Sequence, residues 1–132
     1  LETAVDWPKV TSYTRDVELA LREGLTQDKE SVLAFSHLSH LYAQGSSIYT
    51  TYVYRVGRSY EETLDRWTRL KAAASREVVR HGGTISHQHG VGRDHAPYLP
   101  AEKGEQGMAV LRALASHFDA DRRLNPGKLL ID

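Results

Sequence analysis

At 132 residues, with 40% apolar and 26% charged side chains, the chain has the length and make-up of one ordinary globular domain with a real core. Its 17 basic and 17 acidic residues cancel, so nothing in the charge favours a nucleic-acid or membrane partner. The absence of cysteine excludes disulfide stapling and thiolate chemistry and permits a reducing compartment, with the cytoplasm as the default expectation.

No apolar stretch approaches the roughly 20 residues that cross a bilayer, and the first residues lack a signal-peptide pattern. The chain opens on Leu1 rather than Met, as a processed chain or a fragment of a longer one would. From Pro8, the apolar residues Val10, Tyr13, Val17, Ala20 and Leu21 recur at helical spacing, and Gly24 follows where a helix would stop. A helix is therefore expected from about Pro8 to Glu23. The β-prone runs Ser31 to Tyr42 and Ser47 to Val56, on either side of Gln44-Gly45-Ser46, predict a hairpin. Strict alternation puts His37 and His40 of the first run on opposite faces, where they could not chelate together. In the second run Ser47, Tyr49, Thr51, Val53 and Arg55 share one face, and Ile48, Thr50, Tyr52, Tyr54 and Val56 the other. Both faces are half apolar, which implies cover on both.

Ser59 followed by Glu62 has capping-box spacing, and Tyr60, Leu64, Trp67, Leu70, Ala74 and Val78 continue a helical stripe until Gly82-Gly83. The pairs Glu62 with Arg66 and Asp65 with Arg69 fall one helical turn apart, worth only tenths of a kcal/mol each. Thr84 to Gly92 is bounded by glycines and too short for a helix, so it reads as a short strand. Gly104 to Phe118 carries a third helical stripe through Met108, Leu111, Leu114 and Phe118, and Leu124-Asn125-Pro126-Gly127-Lys128 is a turn into an apolar end. Helix, hairpin, helix, short strand and helix make an α+β domain over 1–132, an antiparallel sheet covered by helices. Two long strands and a short one are few for a self-contained sheet, so strands upstream of Leu1 are expected to complete it.

The segment Gly82 to His95 concentrates the chemistry. Its glycines let backbone approach a planar ligand, and the imidazoles between them can donate hydrogen bonds or relay protons near neutral pH. A tight turn whose histidines satisfy buried backbone groups is the plain alternative. His87, His89 and His95 with Asp94 could be weighed as metal ligands, but their spacing departs from the His-x-His-x-Asp-His pattern of metallo-hydrolases, and no metal set is assigned. Tyr49 on an enclosed polar face could act as acid, base or hydrogen-bond donor. Read on the strand alone, it is first an amphipathic core residue.

Gly82-Gly83-Thr84-Ile85-Ser86-His87-Gln88-His89-Gly90-Val91-Gly92, preceded by Ser36-His37-Leu38 and Gly45-Ser46-Ser47-Ile48-Tyr49 and followed by Leu124-Asn125-Pro126-Gly127-Lys128, resembles the C-terminal region of the FAD-linked oxidases of vanillyl-alcohol oxidase type. Within them the pattern is similar to the alkyldihydroxyacetonephosphate synthases and their bacterial relatives, from the Leu1-Glu2-Thr3-Ala4 opening to the tail. The resemblance implies a C-terminal cap that covers a flavin and forms a pocket for a small-molecule or lipid-like substrate, with an FAD-binding domain upstream and a homodimer allowed. It implies FAD as cofactor, Tyr49 as the proton-transferring tyrosine, and His87, Gln88 and His89 at the family's histidine triplet beside the flavin. His87, Gln88, His89, Gly90 and Asn125 are the cofactor contacts it implies, with Tyr49, His87 and His89 catalytic. The implied reaction exchanges an acyl chain for a fatty alcohol in ether-lipid synthesis. Gln88 departs from the triplet, because an amide cannot carry a proton or a positive charge in neutral water. That departure keeps open an FAD-dependent oxidation of a hydroxy acid or alcohol by hydride transfer, and a non-catalytic α+β binding module is the remaining alternative.

Overall fold

In a computed structural model, which describes residues 1–131, the stripe Tyr13, Val17 and Leu21 is the fully buried face of a helix, α1 (Val10–Glu23). Pro8 lies in a 3-10 turn, Trp7–Lys9, that leads into α1, so the regular helix begins two residues later than its proline suggested. Three strands, β1 (Glu2–Asp6), β2 (Val32–Leu41) and β3 (Gly45–Tyr54), form an antiparallel sheet in the order β1-β3-β2. Two further helices, α2 (Tyr60–Arg80) and α3 (Leu99–Phe118), complete an α+β fold. α1 packs on β2 and β3, and α2 packs on α1, joining Leu70, Ala74 and Val78 to Val32, Ala34 and Ile48 in one core.

The Ser59 cap forms as its spacing predicts: the Glu62 backbone N–H donates to Ser59 Oγ at 3.2 Å, and the Glu62 carboxylate accepts from the Arg58 N–H at 2.6 Å. Ser59→Ala is expected to cost about 0.5–2 kcal/mol, read as a lower urea midpoint with an unchanged slope. An unchanged midpoint would show that the cap contributes nothing.

Four expectations need correction. The third strand is β1, a five-residue opening segment whose side-chain pattern is too short to read, while Thr84 to Gly92 contributes only a single bridge to Ala4. That segment still covers the free edge of β1, because Thr84 N–H donates to Ala4 O at 2.9 Å and His87 N–H to Glu2 O at 3.0 Å. Among the described residues, cover falls on one face of the hairpin: Ile48 and Thr50 are buried under the helices, whereas Leu33, Phe35 and Val53 on the opposite face are exposed. The third helix starts at Leu99 and is broken at Gly104, whose φ of 67° is left-handed, and its stripe turns to solvent beyond Leu111 at Leu114 and Phe118.

The register between β2 and β3 decides the site and the side of the sheet on which His40 lies. Leu38 pairs with Ile48 but Leu41 pairs with Ser46, so three steps along β2 match two along β3, and a β-bulge lies between. Alternation slips by one residue there. His40 consequently lies on the same face as His37, beside Ser47 and not on the far side of the sheet.

Candidate functional site

On the outer sheet face, one rung runs from Glu2 through Tyr49 to His37, because Glu2 pairs with Tyr49 across β1 and β3, and Tyr49 with His37 across β3 and β2. The Tyr49 and His37 rings stack at 5.3 Å and 22°. Tyr49 is 36% exposed, which removes the reading of it as a core residue. On the next rung, Ser47 Oγ accepts from the His40 backbone N–H at 2.8 Å and lies 3.2 Å from its Nδ1.

The histidine loop closes over this face. Ser86 Oγ donates to Gly90 O at 2.7 Å, and Gln88 between them takes a left-handed φ of 62°, so the chain doubles back within five residues. His87 and His89 thereby bracket one carboxylate. His87 Nδ1 lies 3.2 Å from Glu2 Oε1, and His89 Nε2 lies 2.7 Å from Glu2 Oε2. His87 Nε2 is 2.9 Å from Tyr42 Oη, and the His87 and His40 rings are 5.3 Å apart. Tyr42 is itself anchored at the hairpin tip, where its carbonyl accepts from Trp7 Nε1 at 3.0 Å and its N–H donates to Gly45 O at 2.8 Å.

Burial pushes the Glu2 carboxyl up, but hydrogen bonds from His89, His87 and Ser39, with the charge of His87, outweigh it and hold the group down to about 2. Glu2 is therefore an anion at neutral pH, with its side chain only 5% exposed. It orients two imidazoles, His87 and His89, and a third, His40, lies 3.4 Å from its Oε1. His89 stays largely open to solvent while tethered, an arrangement suited to donating to a ligand beside the loop.

Tyr49, His87 and His89 are thus brought together around Glu2, which the sequence reading did not single out as a functional residue. Gln88 and Gly90 lie on the exposed rim of the loop; Gly90 has a φ of 72° and open space where a Cβ would project. Asn125 does not join them. It lines a separate hollow of about 630 Å³ with Arg93, Arg112 and Lys128, although the Leu129 N–H ties the tail to the loop at Gly92 O at 3.0 Å. His95, weighed earlier as a partner of His87 and His89, turns away: its Nδ1 lies 3.0 Å from Val91 O and its Nε2 2.8 Å from Lys71 Nζ. Besides Glu2, reading the residues in sequence missed His40 and Tyr42. The only available signal for His40 was the extra residue that makes the bulge, and that becomes visible only once β2 and β3 are paired.

A family model described as FAD linked oxidases, C-terminal domain, matches residues 1–129. The chain is 35% identical over 120 residues to an alkyldihydroxyacetonephosphate synthase of Caenorhabditis elegans, covering 89% of this chain and 20% of that protein. It is 27% identical over 129 residues to the alkyldihydroxyacetonephosphate synthase of Trypanosoma brucei brucei, covering 98% of this chain and 21% of that one. A solved alkyldihydroxyacetonephosphate synthase structure superposes with a TM-score of 0.62 at 16% identity, over 96% of this chain and 19% of the other. At that identity the superposition speaks for the fold alone. The chain spans about a fifth of the length of the curated relatives it matches.

Proposed function

The chain belongs to the family of C-terminal domains of FAD linked oxidases, and from this we infer that it is the substrate-facing cap of a longer flavoenzyme resembling alkyldihydroxyacetonephosphate synthase. In this reading residues 1–132 cover the flavin, and an FAD-binding domain upstream supplies the phosphate-binding loops. FAD is the cofactor of the family. The observation that carries the proposal is the Glu2 carboxylate held between His87 and His89 beside Tyr49, on a sheet face that no helix among the described residues covers.

The residues present fit a flavin. A planar, mostly apolar ring needs apolar cover and polar donors at its rim, and here the exposed Phe35, and beyond it the Leu33–Val53 pair, continue the outer face from the Tyr49–His37 rung. Open space at the Cα atoms of Gly90 and Gly92 leaves room for close backbone approach. When bound, the flavin supplies an electron sink. His87, Gln88, His89 and Gly90 would hold it from the loop, whereas Asn125, in its separate hollow, is not among the residues placed to do so. The chain's own tasks follow from the geometry. Glu2 fixes the imidazoles, His89 donates from its exposed ring edge toward negative charge that develops beside the loop, and the Tyr49 hydroxyl gives or takes a proton from the substrate. With that face covered, the apolar side chains of β2 and β3 would keep water from it.

Gln88 favours a second reading, oxidation of a hydroxy acid or alcohol by hydride transfer. Its amide makes no hydrogen bond among the described residues and sits where the resemblance implies a histidine. The test uses the full-length protein, assayed for bound FAD, for exchange of an acyl ester for a fatty alcohol, and for anaerobic flavin reduction by hydroxy acids and alcohols. Bound FAD with exchange supports the synthase reading; FAD with reduction supports the oxidase. Protein free of FAD, and unable to take it up, returns the chain to the binding-module alternative. In the same protein His89→Ala is expected to shift the flavin absorption bands more than His37→Ala, and equal spectra would contradict the place given to His89.

A further inference from the structure

We propose that Glu2, His40 and His87 form a binding site for a divalent transition-metal ion of the zinc class. One ligand atom from each of these residues lies within 4.8 Å of the others. Glu2 Oε1 is 3.2 Å from His87 Nδ1 and 3.4 Å from His40 Nδ1. Those separations are long for charge-assisted hydrogen bonds, which run at about 2.7–2.9 Å. The neighbouring His89 contact, at 2.7 Å, has the ordinary length. They lie close to the edge of a tetrahedron around an ion with nitrogen and oxygen ligands at about 2.0–2.2 Å, which is roughly 3.3–3.6 Å. Glu2 Oε1 thus stands about as far from each imidazole nitrogen as it would with an ion between them, and the third side of the triangle, between His40 and His87, is no longer than 4.8 Å.

The donor set decides the class of ion. Two imidazole nitrogens and one carboxylate oxygen, with no thiolate in the chain, suit zinc and its first-row neighbours and disfavour calcium and magnesium, which demand oxygen. A metal-bound imidazole usually donates its other N–H to an outer acceptor that sets ring orientation and tautomer. His87 has such an acceptor in Tyr42 Oη, 2.9 Å from Nε2, so Nδ1 is left to the ion. Glu2 is nearly enclosed, whereas His40 is 45% exposed, which provides an entry path and leaves the fourth position to water on the His40 side. His89 remains on the second carboxylate oxygen, so binding at Oε1 leaves its tether in place. The three ligands come from β1, the β-bulge and the histidine loop; without the bulge His40 would project from the other face.

This site does not rest on the flavin reading, because none of its ligands needs a second domain to be placed. The experiment takes the protein at its natural full length, strips it with a chelator, and dialyses it against zinc or cobalt(II). Bound metal is measured by elemental analysis and the cobalt form by its visible absorption, with FAD content recorded separately. About one ion per chain is expected, with cobalt bands of tetrahedral intensity. His40→Ala should weaken zinc binding by more than the roughly 10–100-fold that loss of an outer partner costs. The exposed His37→Ala should bind as the parent does. Glu2→Gln serves as a second variant, since it keeps side-chain volume and should likewise lose the ion. No bound metal in the parent protein, or equal affinity in the parent and both the His40→Ala and Glu2→Gln variants, would overturn the site whatever the FAD content.

Discussion

Tyr49→Phe in the full-length protein is expected to retain FAD and to lose about 10²–10⁴-fold in turnover, the usual contribution of a positioned acid or base. The substitution removes one oxygen and little else. Tyr49 stacks on His37 through its ring, at 5.3 Å, and its backbone is held by the pairings of β3 with both neighbours, so the phenylalanine ring keeps the same seat. Its half-open position on the outer face means that no buried polar partner is orphaned when the hydroxyl goes. Fold and cofactor should therefore survive, and the loss should fall on kcat in whichever of the two assays the parent protein supports. Turnover within a factor of a few of the parent would take Tyr49 out of the chemistry and leave it as the prop of His37.

Gly45→Ala is expected to be the most damaging single change to the fold. A Cβ there would stand 2.1 Å from Val5 O and 2.9 Å from Asp6 Cα, both backbone atoms of the neighbouring strand that cannot swing aside as a flexible side chain would. Relief requires β1 to lift from β3 at the Asp6–Gly45 end of their register. Overpacking typically costs about 1–3 kcal/mol and more where the backbone must move, so the melting temperature should drop by several degrees. Gly90→Ala is the contrast: it meets nothing within 4 Å and carries only the strain of its φ of 72°, about 1–2 kcal/mol. Because β1 carries Glu2, Gly45→Ala should also loosen His87 and His89 and broaden their NMR signals, an effect without counterpart in Gly90→Ala. A Gly45→Ala protein that melts with the parent would mean that the strand contact is not as tight as described.

The elements with the longest periodic patterns were legible from composition and spacing. α1 and α2 bury the stripes that their sequences display, because a face repeating every three or four residues has only one way to leave water, and Ser59 caps α2 because a hydroxyl three residues before a glutamate satisfies otherwise unpaired N–H groups. The hairpin followed from two β-prone runs around a glycine, although Gly45 already belongs to β3. The resemblance to FAD-linked oxidases, drawn from three separated motifs, is borne out by the match over residues 1–129.

What local pattern could not supply is the meeting of Glu2, His40, Tyr42, Tyr49, His87 and His89. β1 is five residues long and acquires its meaning as a strand only from its partner β3, which a short run cannot announce. The position of His40 was misread because alternation counts residues along one strand, while a bulge is a mismatch between two. The amino-acid sequence by itself determined which side chains were available, where the helices run and which family the chain joins, since those depend on short-range periodicity and on motif identity. Only the tertiary structure decided that one carboxylate from the opening strand gathers imidazoles from two other stretches of chain, because pairing register is a property of strands in contact and cannot be read from either alone.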